Sequence, residues 1–366
     1  MDPATRRSWK RRALTAAGAG GLVAVSIWVI VGSGWLVFNR LSGGGVDPPP
    51  PGAGPAVTTP PIQTRAGGPV HRTNCAPSPH VCGYPDRTNT GVPAGTTLRQ
   101  VPAQVTGGRG WHYDMRGSIE IDGDGTVLDG FESAATVSVR ASNVTISNCR
   151  LALRTTRQTA ADHSSAGVLI RNGSTNVTVR NCEIFGSGRG ADRLEVGIKA
   201  QEKVTGTRVI GNDIHSMSTG VQTDEGLIQD NYIHDFGFHD WGPPDGPDHL
   251  NGTTSNAYGG PLTVRHNTIF NRFEQTDAIS LFEDFSPQFD RVITNNLVAG
   301  GGYTIYGGAN SGGQPTHHIV ITNNRFSRIY FPNSGGYGPV AAFDPRGRGN
   351  LWSGNVWDDT GLQVTA

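Results

Sequence analysis

The stretch FHDWGPPDGPDHLNG, residues 238–252, gathers His239, Asp240, Trp241, Asp245, Asp248, His249 and Asn251. Asp277 opens the segment DAISLF further on, and Glu283 and Asp284 follow it. Paired carboxylates do acid–base work on glycosidic bonds: one protonates the leaving oxygen, and the other, at about 5–9.5 Å, acts as base or nucleophile. Asp277 with Asp248 or Asp240 could form such a pair. Elimination from a uronate instead needs a base for the C5 proton, which Lys199 or His249 could supply. It also needs a positive group for the carboxylate, and Asp248 with Glu283 could hold Ca2+ there. The residue types fit both reactions. Each also has a plainer reading: Lys199 as a solvated lysine, His249 as a partner that orders its loop through Asp248, Asp277 as the cap of a bend, and Glu283 with Asp284 as surface charge.

Such side chains act only if a scaffold brings them together, and the sequence announces one. NVTISNCRL at Asn143–Leu151 returns as NVTVRNCEI at Asn176–Ile184. The same frame, an apolar residue, two residues, a pivot, one residue and another apolar residue, recurs with pivots Cys149, Cys182, Asn212, Asn231, Asn267, Asn296, Asn324 and Asn355. Successive pivots lie 33, 30, 19, 36, 29, 28 and 31 residues apart. A repeat of this length signals a solenoid. Short alternating segments cannot bury an apolar face alone, but stacked about 4.8 Å apart they pair in parallel and share one core. Asn suits the pivot because it tolerates left-handed backbone and can bond side chain to side chain along a column. The spacing lacks the fixed leucines of a horseshoe and the four-strand blades of a propeller. Variable spacing places the extra residues in loops, where function commonly sits, and the 36-residue step contains the Phe238–Gly252 stretch.

A second column precedes the pivots: AGVLIR, VGIKAQ, TGVQTD, NGTTSN, DAISLF and YTIYGG. Aligned on Gly167, Gly197, Gly220, Gly252, Ala278 and Thr304, the next residue points inward, and the one after it points outward. The outward set is Leu169, Lys199, Gln222, Thr254, Ser280 and Tyr306. Polar groups and an aromatic on one strand face make a sugar-binding surface, with Trp241 and Tyr306 as stacking residues. Arg346, in the loop FDPRGRG, is a further candidate for that surface.

Composition narrows the class. The chain has 366 residues, 52 Gly, 23 Pro and a formal net charge of +0, so nothing marks nucleic acid as a partner. Residues 1–12 are basic, and residues 13–38 carry no charge over 26 positions, long enough for one membrane span with the N-terminus inside. A cleaved signal peptide is the alternative, although the apolar stretch exceeds the usual length. Residues 39–82 form a Pro/Gly-rich linker with a small disulfide loop between Cys75 and Cys82. A metal site using His71 and His80 is the rival reading of those cysteines. The expectation for Cys149 and Cys182 is a buried pair of free thiols, with a bridge between coils as the alternative, since about 4.8 Å between Cα atoms permits either.

GYPDRTNTGVPAGTTL, the NVTISNC phrases, DHLNGTTS and NNLVAGGGYTIYGG together resemble bacterial right-handed parallel β-helix proteins of the pectate-lyase-like superfamily, over roughly residues 82–361. The resemblance implies an all-β fold, a right-handed parallel β-helix over residues 83–366, preceded by one transmembrane helix. It also implies a polysaccharide groove on the second column. That superfamily includes lyases, hydrolases, epimerases and binders. Its acidic-His-x-Asp-Gly phrase is altered here, because Asn251 stands where the Asp would be. The expectation is a membrane-tethered, extracellular, monomeric protein that acts on polysaccharide as lyase or hydrolase, with Ca2+ as the one possible cofactor. The alternative is a non-catalytic binder of cell-wall glycan.

Overall fold

The structure, a computed structural model, describes residues 74–154, 165–243, 246–257, 259–309 and 315–366. The expected anchor at 13–38, the linker up to residue 73 and Asp245 lie outside the described residues. Among the described residues no helix is long and apolar enough to cross a membrane.

The chain is all-β, built on one 17-stranded and one 11-stranded sheet whose repeating strands pair in parallel. This arrangement is compatible with a β-helix. From Ala166–Ile170 onward each coil gives one strand to the smaller sheet and two to the larger. One coil runs Asn251–Ser255, Leu262–Arg265 and Thr268–Asn271, and the next begins at Asp277–Leu281. The antiparallel hairpin of Trp111–Asp114 and Ser118–Ile121 joins the smaller sheet at its N-terminal edge.

Three apolar columns fill the interior. Ile198, Val221, Ile279 and Ile305 belong to one, with Thr253 between Val221 and Ile279; Val179, Val209, Ile228, Val264 and Ile293 form a second, and Ile184, Ile214, Ile233 and Ile269 a third. At Gly197 the backbone also faces inward, because an added Cβ would lie 2.6 Å from the Gly220 carbonyl oxygen and 2.7 Å from Ile214 Cγ2. Two consecutive inward positions break strict alternation. The residues before the glycine and two after it therefore share the outer face. Ala166, Leu169 and Val196 pack together there, apart from the main core.

The pivots form a continuous amide ladder. Nδ2 of Asn212, Asn231, Asn267, Asn296 and Asn324 each donates to Oδ1 of the next, ending on Asn355, at 2.9–3.0 Å. The backbone N–H of each donates to the same oxygen. Every group is satisfied, which is what allows six amides to sit in an apolar interior. One detail corrects the reading from the repeats. The left-handed residue is the one before each pivot: Asp230, His266, Asn295 and Asn323 have φ of 58°, 51°, 55° and 57°. The pivot amide serves the ladder, and its neighbour makes the bend.

Cys149 and Cys182 also depart from expectation. They are joined in a disulfide with Cα atoms 4.5 Å apart, not left as free thiols. The loop Cys75–Cys82 is bridged as expected, which leaves no thiolates there for a metal, and His80 Nδ1 pairs with Asp86 Oδ2 at 2.5 Å. Residues 74–82 do not hang free. Cys75 and Ala76 pack on Phe270, Leu297 and Ala299, and the Ala76 N–H donates to Asp358 Oδ2 at 2.9 Å.

Candidate functional site

Two outer columns of the smaller sheet define the site. Register pairs Thr219 with Asn251 and Asn251 with Asp277 in one. In the other it pairs Leu169, Lys199, Gln222, Thr254, Ser280 and Tyr306 in order. The outward row drawn from the aligned repeats is therefore a true row of neighbours, one residue per coil.

At its centre lie groups without partners. Asp277 is 0% exposed, and neither carboxylate oxygen has a hydrogen-bond partner of good geometry. Burial pushes its carboxyl well above the usual carboxylate range, and the nearby Ser280 hydroxyl offsets this only in part. Beside it, Asn251 offers Nδ2 to Thr219 Oγ1 at 3.5 Å, while its buried Oδ1 has no partner. Orphaned buried polar atoms are uncommon and demand an explanation, of which a ligand is one.

Aromatic rings flank Asp277. Tyr303 stands edge-on to Tyr306 at 5.7 Å between centroids and lies 5.7 Å from Tyr337, and Phe282 lies 5.5 Å from Tyr306. Burial, with Asp277 close by, pushes the Tyr306 hydroxyl up to about 12. On the rim, exposed His249 has Nδ1 3.4 Å from Thr276 Oγ1. Asp284 feels both Asp224, which with burial raises its carboxyl, and the His249 imidazole, which lowers it.

Asp248 is corrected. Its side chain is a structural anchor, unable to pair with Asp277. Arg193 Nε donates to Oδ2 at 2.6 Å, and Arg193 Nη2 also bonds Oδ1. Ser218, the His239 N–H and the Trp241 indole N–H fill the remaining lone pairs. Both oxygens are thus engaged by five donors, and no described contact joins Asp248 to Asp277 or to Glu283. Glu283 itself has two covered oxygens without partners, and burial raises its carboxyl. Trp241 closes the same clasp, its ring over the Arg193 guanidinium at 5.3 Å, yet it stays 40% exposed. Asp240 bonds the Gly242 N–H within its own turn. Arg346 is exposed on the 343–349 loop, its N–H bonded to Asp344 Oδ1, and no described contact joins it to the row.

Sequence reasoning passed over Tyr303, Tyr337 and Phe282 and read Asp284 as surface charge. Tyr303 was findable, since it occupies in YTIYGG the place that Asn251 and Asp277 occupy in the preceding coils. Tyr337 and Asp284 reach the site from loops and had no repeat signal. Comparison with protein-family models, with curated proteins and with solved structures gives no match for this chain.

Proposed function

We propose that this protein is a right-handed parallel β-helix of the pectate-lyase-like kind that cleaves polysaccharide by hydrolysis on the outer face of its smaller sheet. The observation that carries the reading is the partnerless, fully buried carboxyl of Asp277 beside the free Oδ1 of Asn251. A carboxyl that burial biases towards its protonated form suits a general acid, and glycosidic oxygen is a suitable acceptor of its proton. Asp284, whose carboxyl is raised by burial and by Asp224 and lowered in part by His249, is the second carboxyl assigned to the reaction, working as base once ionised. Tyr303, Tyr306 and Tyr337 offer ring faces for sugars, and Gln222, Thr254 and Ser280 offer hydroxyl partners along the row. Elimination is the weaker reading, because the acid at the centre of the row is neutral and Lys199 lies three strands from Asp277. The uncharged stretch 13–38 supports display at a membrane, with the sheet facing outward.

The test is incubation of the full-length protein with a panel of polysaccharides, with and without EDTA, following reducing ends and the ultraviolet absorbance of unsaturated uronates. Hydrolysis predicts new reducing ends, no absorbance and no effect of EDTA, all lost in Asp277→Asn. Absorbance gains would replace hydrolysis with elimination. Glycan binding without cleavage, retained in Asp277→Asn, would make the row a binding surface only.

A further inference from the structure

A second site lies on the larger sheet, on strands that give nothing to the Asn251–Asp277 row. Phe289–Thr294 and His317–Thr322 pair in parallel, with Phe289 opposite His317 and Arg291 opposite Ile319, so Asp290 stands opposite His318. Both of these residues are left-handed, with φ of 52° and 55°. A left-handed residue at a strand start breaks alternation and lets successive side chains gather on one side. His317 and His318 consequently sit edge to face at 5.0 Å, although they are adjacent in sequence. Phe289 stacks on His317 at 5.5 Å and holds its ring plane. His318 Nδ1 is 2.7 Å from Asp290 Oδ1.

Two observations point to a ligand. One donor atom from each of Asp290, His317 and His318 lies within 4.8 Å of the other two, a grouping found at no other His, Cys, Asp or Glu trio among the described residues. Independently, His317 Nδ1 is covered and has no hydrogen-bond partner. A covered imidazole nitrogen with nothing to bond is a lone pair or an N–H awaiting a partner. The comparison within the same sheet is instructive. His266 and Asp230 form a like pair at 2.5 Å, but no second imidazole joins them.

We propose that Asp290, His317 and His318 form a binding site for a borderline divalent transition metal, represented by Zn2+. Two imidazole nitrogens and one carboxylate match that class, whereas Ca2+ and Mg2+ take oxygen ligands. Binding replaces the hydrogen that His318 and Asp290 share, so the imidazoles coordinate as neutral ligands. Three protein ligands leave a fourth position for water or an incoming donor. Arg291 sets a limit on affinity. It is buried on the neighbouring position, bonded to Gln288 and the Gly260 carbonyl, and its charge acts on Asp290. That charge keeps the site weaker than a closed four-ligand zinc site.

Calorimetric titration of the full-length protein with Zn2+, after chelator treatment and dialysis, tests this. The expected result is a site of one equivalent, weakened about tenfold or more in His317→Ala and in Asp290→Asn and unchanged in His266→Ala. Co2+ bound to the same protein should give visible ligand-field bands that Zn2+ displaces. Absence of zinc binding, or equal binding by His317→Ala, overturns the site. Thermal melting of the metal-free variants separates lost binding from lost folding. If His317→Ala unfolds, His318→Gln takes its place in the same titration, and unchanged binding there counts equally against the site.

Discussion

Asn251 and Asp277 stand opposite each other on adjacent parallel strands, and between them they hold three buried oxygens with no hydrogen-bond partner. The asparagine ladder satisfies its buried amides, whereas this pair gathers three unsatisfied oxygens on two adjacent strands.

Asp277 should make stability fall with rising pH. Its folded carboxyl is raised above its unfolded value, so above about pH 4 the unfolded chain releases a proton that the folded chain keeps. Stability then drops by about 1.4 kcal/mol per pH unit until the folded carboxyl ionises. Asp277→Asn removes this slope. Chemical denaturation at pH 5 and pH 7 should show the variant gaining on the wild type as pH rises, while hydrolysis is lost. A constant difference between the two pH values would count against a protonated Asp277.

The ladder should be least tolerant in its middle. Asn267→Ala strips the acceptor from the Asn231 N–H and Nδ2, and it removes the donor to Asn296 Oδ1 and to the Ile228 carbonyl. Several buried groups left unpaired, at about 1–3 kcal/mol each with partial relaxation, should together cost roughly 3–5 kcal/mol. Asn355→Ala, at the end of the ladder, loses one rung and should cost less. Urea midpoints for the two variants decide the order.

The two disulfides should contribute unequally. Cys149–Cys182 closes 33 residues and Cys75–Cys82 closes 7. Loop entropy gives roughly 3.5 kcal/mol for the first and roughly 2.5 kcal/mol for the second. The paired variants Cys149→Ala/Cys182→Ala and Cys75→Ala/Cys82→Ala should melt in that order, the first lower. Peptide mapping without reductant should recover both cross-linked peptides.

His234 should stabilise the fold at lower pH. Its buried ring lies 2.8 Å from Asp213 Oδ1 and 2.9 Å from Asp235 Oδ2. Burial pulls the imidazole down, but the two carboxylates outweigh it and the net direction is up. A raised histidine contributes fully below its unfolded value of about 6.5, and the contribution is lost as pH rises through the folded value. His234→Gln should therefore be more destabilising at pH 6 than at pH 9. Proton NMR of the ring should show the raised titration directly.

The solenoid was legible because its signal repeats. Eight pivots and six aligned outer positions each carry the same physical demand, so errors at one coil are corrected by the others. The left-handed bend was assigned to the pivot itself, whereas the residue before it takes that conformation, and at Asn295–Asn296 and Asn323–Asn324 an Asn beside an Asn gives no hint which of the two turns. Asp248 and Asp277 looked alike in sequence, as acidic residues near strand starts. Their fates diverged because Arg193, 55 residues away, reaches one and not the other.

Local alternation and short-range spacing are enough to set the period, the parallel stacking, the inward and outward columns and the Cys75–Cys82 loop. Folding in three dimensions was needed to settle which acid meets an arginine and which is buried alone, that Cys149 and Cys182 bond, and that Asp290, His317 and His318 converge. Those outcomes depend on which side chains from different coils come within a few ångströms, and a one-dimensional repeat fixes register along the stack but not what the loops bring over it.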